Sequence, residues 1–381
     1  MAINTIIIVG DLFPFASNLH LFIEGDVQTL FGSKICELFA KADYRICNLE
    51  GTLTDGDERV RKTGPIITAP TQAINAYKAL GVDYCMLANN HITDGGTQGV
   101  KETIETLDKV GIGHIGAGMN DTAIPHYTIL AIAEKNLCIY NVCETMYNKP
   151  RVDQAGAWLY DEYLVCKELE LLKRKCDHII VIYHGGIEKF QYPSPETRKR
   201  FHRMADSGAD IVLSQHTHCI GCEEHYNESY LLYGQGDFLF NNFRPEITST
   251  GLILEIEIDT NGLKVNKYKS RIVDFMVHLD EEQDLKGFID RSRLLLKDED
   301  EVFRLFQEFC MKELHLYLNA YKRPSFPQRV IKKLFPSYYN QWRNHKLYND
   351  RDLLFSLHTL RSEQNRETAV VGIEKYMGIS R

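Results

Sequence analysis

No apolar run in this 381-residue chain reaches the roughly 18 residues that a membrane-spanning helix requires. The longest run near the start, Thr5–Gly10, is too short even for the core of a secretion signal. The expectation is a cytoplasmic protein without a transmembrane segment, whose only membrane contact is peripheral, at the inner face. Excess positive charge is also missing. The 44 Lys and Arg are outnumbered by 52 Asp and Glu, a formal net charge of −8, which excludes nucleic acid as a whole-chain partner because counterion release needs a basic surface. No G-x-G-x-x-G or Walker loop follows a strand-like run, which argues against a nucleotide-binding module. Internal repeats and low-complexity tracts are absent as well. Ten cysteines are scattered, and the one C-x-x-C, Cys219 and Cys222, has no second pair at a fitting spacing, so a cysteine-held zinc is not expected.

What the chain does contain is a series of short apolar runs that stop abruptly on polar residues. Thr5–Gly10 ends at Asp11, Tyr44–Cys47 runs into Asn48 and Glu50, and Asp83–Ala88 runs into Asn89, Asn90 and His91. Ile179–Tyr183 is followed by His184, and Ile211–Leu213 by His216 and His218. Runs of this kind read as buried strands. Between them, Asp26–Ala42, Thr71–Leu80, Thr97–Val110, Asp161–Cys176 and the segment opened by Ser194 and Pro195 read as helices, with Gly81, Gly111 and Gly208 as stops and Gly32 as a weak point. This alternation predicts a layered α/β core. Tyr127–Ala133 and Leu137–Val142 form a strand pair, Gly234–Phe240 reads as a strand, and Leu252–Ile258 and Leu263–Val273 alternate with period two, as antiparallel strands do.

Beyond about Glu281 the strands give way to helices at Leu285–Leu296, Glu301–Tyr317, Gln328–Phe335 and Arg351–Tyr376, so a core domain over 1–280 and a helical C-terminal region over 281–381 are expected. From Leu314 to Asn349 there is no acidic residue, while Lys322, Arg323, Arg329, Lys332, Lys333, Arg343 and Lys346 are interleaved with aromatics. Two readings stand: a surface for an acidic polymer or anionic lipid, or a helical appendage whose aromatics pack on an acidic core, the latter preferred.

The polar strand ends carry the chemistry. In an open α/β sheet the carboxyl ends of the strands face the ligand crevice, so Asp11, Asn48, Glu50, Asn90, His91, His184, His216 and His218 would gather at one rim. A single strand-end histidine is uninformative, but five successive ends finishing in carboxylate, carboxamide or imidazole point to a metal centre. The mix of oxygen and nitrogen without thiolate suits divalent Mn, Fe or Zn ions, as a pair, and disfavours Ca or Mg. Glu50 or Asp11 is the natural bridge, and two such ions bind both attacking and departing oxygens of a phosphoryl group. His91, beside Asn90 rather than in an H-x-H, suits a general acid, with Asp94 as its orienting partner. Gly95 and Gly96 open the next helix, either as an anion-binding N-terminus or simply as a turn.

At these residues the chain resembles a known family. Gly10-Asp11, NLEGTLT (Asn48–Thr54), LANNHITDGG (Leu87–Gly96), GVKETIETLDKVGIGHIGAG (Gly99–Gly118), HGGIE (His184–Glu188), the H-x-H and G-x-G-D-F-L-F follow one another as in the CapA family. That family is associated with bacterial capsule and poly-γ-glutamate synthesis and is similar in fold to calcineurin-like metallophosphoesterases. The resemblance spans roughly residues 3 to 275. It implies a four-layer α/β/β/α sandwich of metallophosphoesterase type with a dinuclear metal site. By matching motifs, Asp11, Glu50, Asn90, His184, His216 and His218 would be ligands and His91 the catalytic histidine; beside these, Asp94 is expected to act in catalysis with His91, and Asn48, Asn89 and Glu188 to bind substrate. Several positions depart from the pattern: Phe13 replaces the histidine of D-x-H, Glu50 replaces a bridging aspartate, Gly185 replaces an aromatic, and Gln215 and Asp237 stand where Gly and Asn are usual.

The expected function is a metal-dependent hydrolase acting on a phosphoester in capsule, exopolysaccharide or poly-γ-glutamate biosynthesis. One alternative keeps the metals but cleaves an amide of poly-γ-glutamate. Another is a non-catalytic assembly factor that holds a capsule polymer precursor or a membrane-associated synthase through the basic tail, a reading that Phe13 and Gly185 keep open.

Overall fold

The computed structural model describes residues 4–321, apart from 63, 133, 147, 241–245, 260 and 261, together with 330, 331 and 333–335. In chain order its first half contains β1 (Asn4–Leu12), α1 (Leu19–Glu24), α2 (Val27–Lys41), β2 (Tyr44–Leu49), α3 (Ile74–Leu80), β3 (Tyr84–Met86), α4 (Gly96–Val110) and β4 (Gly113–Ile115). Then come β5 (Tyr127–Ile132), β6 (Lys135–Cys143), α5 (Glu162–Lys173), β7 (His178–His184), α6 (Pro195–Asp206), β8 (Ile211–Gln215), β9 (Glu223–Tyr226) and β10 (Ser229–Leu232). The chain closes with β11 (Thr250–Asp259), β12 (Gly262–Val273), β13 (Met276–Leu279), α7 (Lys286–Lys297) and α8 (Glu299–Tyr321).

These strands form two large sheets. The first has the order β13-β12-β11-β1-β2-β3-β4, parallel from β1 to β4 and antiparallel from β1 outward through β13. The second has the order β9-β10-β8-β7-β6-β5, parallel at its centre with an antiparallel strand at each edge. Because successive side chains on a strand point to opposite faces, each central strand feeds two cores. Ile6 and Ile8 of β1 meet Ile180 and Ile182 of β7 and Ile211 and Leu213 of β8 in a core between the sheets. Ile7 and Val9 face outward against Leu30, Phe31 and Phe39 of α2. Ile179, Val181 and Tyr183 of β7 face outward on the other side, against Val165 and Leu169 of α5 and Phe201 of α6. The layers are therefore α/β/β/α, as the resemblance implies.

Local chemistry sets the element ends. Asp26, Asp161 and Ser194 cap α2, α5 and α6, each accepting from the backbone N–H three residues on. Gly32, at φ 68°, breaks α2 into two pieces across a kink. One expected element is absent: the segment 234–240 makes isolated bridges from Gln235 to Ile220, Gly236 to Gly251 and Leu239 to Leu12 rather than a strand. Gly234 and Gly236, at φ 154° and 75°, turn the backbone away from any ladder. The short α1 has no counterpart in the sequence reading.

Among the described residues no helix is long and apolar enough to cross a membrane. The chain divides into compact units Met1–Phe306 and Gln307–Arg381. In the first, α7 packs Phe288 into the intersheet core and Leu295 against the outer face of the second sheet. Lys322, Arg323, Arg329, Lys332, Arg343 and Lys346 of the basic tail lie outside the described residues, as does the helix expected over 351–376.

Candidate metal centre

Both sheets end their parallel strands at the same rim, and the polar residues meet there. Asp11 lies beside a register irregularity near the end of β1, and Glu50 follows the last residue of β2. Asn89, Asn90 and His91 follow β3, His184 is the last residue of β7, and His216 follows the last residue of β8. Asn48 Nδ2 donates to Asp11 Oδ1 at 2.7 Å and lies 3.1 Å from His184 Nδ1. His184 Nε2 is 2.8 Å from Asn90 Oδ1 and 3.5 Å from Glu50 Oε1. The His216 backbone N–H donates to Asp11 Oδ2 at 3.2 Å, and His218 Nδ1 is 3.4 Å from the same oxygen. One ligand atom each from Glu50, His216 and His218 lie within 4.8 Å of one another, and so do those of Asp11, His218 and Asp237.

The H-x-H is not an extended segment. His216 and His218 have φ of 85° and 51°, in the left-handed region that costs a non-glycine residue about 1–3 kcal/mol. This double bend holds both rings at the rim, 5.8 Å apart, with the His184 ring 4.9 Å from that of His216. Phe240 stacks on His218 with ring centroids 5.0 Å apart.

Electrostatically the pocket is short of positive charge. Asp11, Glu50 and Asp237 are each 0% exposed. Burial opposes ionisation of Asp11, yet the hydrogen bond from His218 and the charges of His184 and His218 hold its carboxyl well below the usual range. Burial, reinforced by Asp11, pushes Glu50 well above its ordinary value. Burial drives His184 well below its ordinary value and His216 down to about 4, so both are neutral donors near neutral pH. For His218 burial is outweighed by Asp237 and Glu50, which raise it. Among the described residues neither Glu50 oxygen has a hydrogen-bond donor. A sealed carboxylate without a donor costs several kcal/mol, and nearby neutral imidazoles and a second carboxylate are what a divalent cation would bind. The residues present therefore fit a metal centre.

His91 forms a separate arm. Its Nδ1 is 2.7 Å from Asp94 Oδ2, which also accepts from the Ile67 backbone N–H at 2.7 Å. The other Asp94 oxygen is ion-paired with Lys62, whose ammonium lies 3.1 Å from His91 Nδ1. The Asp94 carboxylate can only accept and is nearer to Nδ1 than Lys62 is, so the Nδ1 proton is directed to Asp94, and His91 Nε2, 4.0 Å from Glu50 Oε1, is the atom turned toward the ligands.

Of the expected substrate contacts, Asn48 and Asn89 are fully buried behind the ligands, joined by a 3.2 Å hydrogen bond, whereas Glu188 is exposed on the turn after β7. Phe13 is fully buried in the outer core of the first sheet. Cys219 and Cys222 are buried free thiols. Sequence reasoning missed three groups. Glu144, one residue past β6, has Oε1 3.5 Å from His216 Nε2 and Oε2 accepting from the Gly186 N–H, and the strand-end rule applied to β6 would have found it. Lys62 sits in a charged loop with no local signal. Asp237, noted only as a departure from a pattern, lies 2.7 Å from His218 Nδ1.

Residues 5–242 match the family model described as bacterial capsule synthesis protein PGA_cap. The capsule biosynthesis protein CapA of Bacillus anthracis is 26% identical over 52% of this chain and 50% of its own length. A probable polyglutamine synthesis accessory protein of Mycobacterium tuberculosis is 31% identical over 51% of this chain and 55% of its own. The chain thus spans about half the length of the curated relatives it matches. Among solved structures, a 5'-nucleotidase precursor from Thermus thermophilus aligns over 80% of this chain and 60% of its own, at 13% identity and a TM-score of 0.38.

Proposed function

Since this chain belongs to the bacterial capsule synthesis protein family PGA_cap, we propose that it is a metal-dependent hydrolase that cleaves a phosphoester during the making of capsule, exopolysaccharide or poly-γ-glutamate. One observation carries the reading: Glu50 is sealed from solvent, with no hydrogen-bond donor to either oxygen among the described residues, facing the imidazoles of His184, His216 and His218. Asp11, Glu50, Asn90, His184, His216 and His218 would hold two divalent ions, Mn, Fe or Zn. Such ions, when bound, withdraw charge from a phosphoryl group and make water a stronger nucleophile.

The chain's own residues do the rest. Asn48 fixes the Asp11 carboxylate and the His184 ring together, so two ligands from different sheets keep one spacing. Lys62 and Asp94 hold the His91 ring with Nε2 facing the reacting group. As water adds to phosphorus and the bond to the departing oxygen breaks, His91 Nε2 supplies the proton that oxygen needs. Burial lowers the His91 pKa, which favours release of that proton, while the hydrogen bond and charge of Asp94 act the other way and support the imidazolium form in which Nε2 carries it.

A second reading, cleavage of a glutamyl amide, is favoured by the names of the relatives, which refer to polyglutamine and to capsule synthesis. Purified protein loaded with Mn²⁺ and offered nitrophenyl phosphodiesters and γ-glutamyl oligomers separates the two. The proposal expects phosphoester turnover that His91→Ala reduces by about 10²–10⁴-fold, the usual worth of a positioned acid. Turnover of the oligomers alone would replace it with the amide reading, and turnover of neither would remove it.

A further inference from the structure

The ligand groups at the rim divide unequally. Glu50, His216 and His218 offer ligand atoms around one point, and His218 is shared with a second point on the side of Asp11. The second side contains another carboxylate. Asp237 Oδ1 is 2.7 Å from His218 Nδ1, the same nitrogen that lies 3.4 Å from Asp11 Oδ2. Three ligand atoms from β1, from the loop after β8 and from the loop after β10 therefore converge around one point, and all three side chains are buried, Asp237 at 0% exposure.

The backbone is built to make this meeting happen. Phe238 and Leu239 both donate their N–H groups to the Asp11 carbonyl at 3.0 Å, and Phe13 N–H returns a bond to the Leu239 carbonyl at 2.9 Å. The Asp237 loop is thus stitched directly to the residue whose carboxylate it faces. The approach is so close that a Cβ at Gly10 would sit 2.2 Å from the Gly236 carbonyl oxygen, and one at Gly251 would sit 2.0 Å from the Asp237 carbonyl oxygen. Gly236, at φ 75°, provides the turn that brings Asp237 inward. Two carboxylates pressed together in a dry site repel each other, and the unpartnered, fully buried Glu50 adjoins them.

We infer that Asp237 is a direct metal ligand, which together with Asp11 and His218 makes one half of the centre oxygen-rich. This inference rests on the metal-centre reading above and adds to it an asymmetry: the Asp11–Asp237 half takes a harder divalent cation such as Mn²⁺, while the His184–His216 half takes the more nitrogen-seeking ion. The alternative role for Asp237 is that of an outer carboxylate that only orients the His218 ring, a common arrangement around metal-bound histidines.

Anomalous diffraction from wild-type crystals soaked in MnCl₂ distinguishes the two roles. The inference expects a manganese peak with oxygens of both Asp11 and Asp237 within about 2.0–2.4 Å, the coordination range of hard divalent ions. Manganese bound at the rim with Asp237 oxygens beyond hydrogen-bond range of the ion, touching His218 alone, overturns the inference and leaves the metal centre standing. No manganese at the rim overturns both. Titration calorimetry of chelator-stripped Asp237→Asn with Mn²⁺ provides a solution counterpart, because the amide oxygen still accepts from His218 and so preserves an orienting role. Loss of one of two binding events is the expected result, and retention of both at unchanged affinity contradicts it.

Discussion

Two glutamates are sealed inside this protein under opposite conditions. Glu224, 4% exposed, receives Arg198 Nε at 3.1 Å and Nη2 at 2.8 Å, the Tyr233 hydroxyl at 2.9 Å, and His202 Nε2 at 3.2 Å. Glu50, 0% exposed, receives no donor among the described residues. At Glu224 the fold solves the problem of a buried charge with its own side chains, and the result is structural. At Glu50 the fold leaves the problem unsolved beside three imidazoles and another carboxylate, which is the condition under which an external cation becomes the missing partner. The comparison separates burial that stabilises from burial that binds.

The sharpest way to break the contrast is to neutralise Glu50. Glu50→Gln should weaken Mn²⁺ or Zn²⁺ binding by more than the about 100-fold that losing an outer-sphere partner costs, measured by calorimetry, while leaving the metal-free fold at least as stable as wild type. Removing Arg198 attacks the other side. Arg198→Leu removes the bidentate charge partner of Glu224, leaving only the Tyr233 and His202 bonds, and should cost about 3–5 kcal/mol in chemical denaturation, without altering metal stoichiometry. A smaller effect comes from the ligand itself: metal at a hundred times its dissociation constant should stabilise wild type by about 2.7 kcal/mol, and Glu50→Gln by far less, read as the shift in denaturation midpoint.

The pH dependence should also have opposite signs at the two sites. Burial raises Glu50 well above its ordinary 4.5, so the folded state keeps a proton that the unfolded state releases. The metal-free protein therefore loses stability as pH rises above about 4.5 toward the raised value, and the advantage of Glu50→Gln grows over that window. For Glu224 burial also acts upward, but the bonds from Arg198, Tyr233 and His202 outweigh it and leave the pKa lowered. Its contribution is present above 4.5 and is lost as pH falls through the lowered value, so the deficit of Glu224→Gln shrinks in acid. Denaturation series in chelator from about pH 2 to 8 measure both slopes.

The sequence made the layers legible because each central strand carries its own apolar period, as Ile6 to Val9 and Ile179 to Tyr183 do. The ligands at strand ends were legible for the same reason, since the place where an apolar run stops is a local signal. What stayed hidden has no local signature. Lys62 reaches Asp94 across 32 residues from a loop whose charges look merely solvated. Asp237 follows a glycine-rich stretch that reads as a strand, and only the packing of that loop on Gly10 and Asp11 aims it at His218. Glu144 obeys the strand-end rule, but its strand reads as half of an ordinary antiparallel pair, which gives no sign of a ligand at its end.

Elemental analysis of the metal content of wild type and Glu50→Gln, each stripped with chelator and reloaded with Mn²⁺ or Zn²⁺, tests the account most directly. Two equivalents per chain in wild type and a reduced content in the variant are the predicted results. A wild type that takes up no ion, or a variant that keeps the full complement, would contradict it.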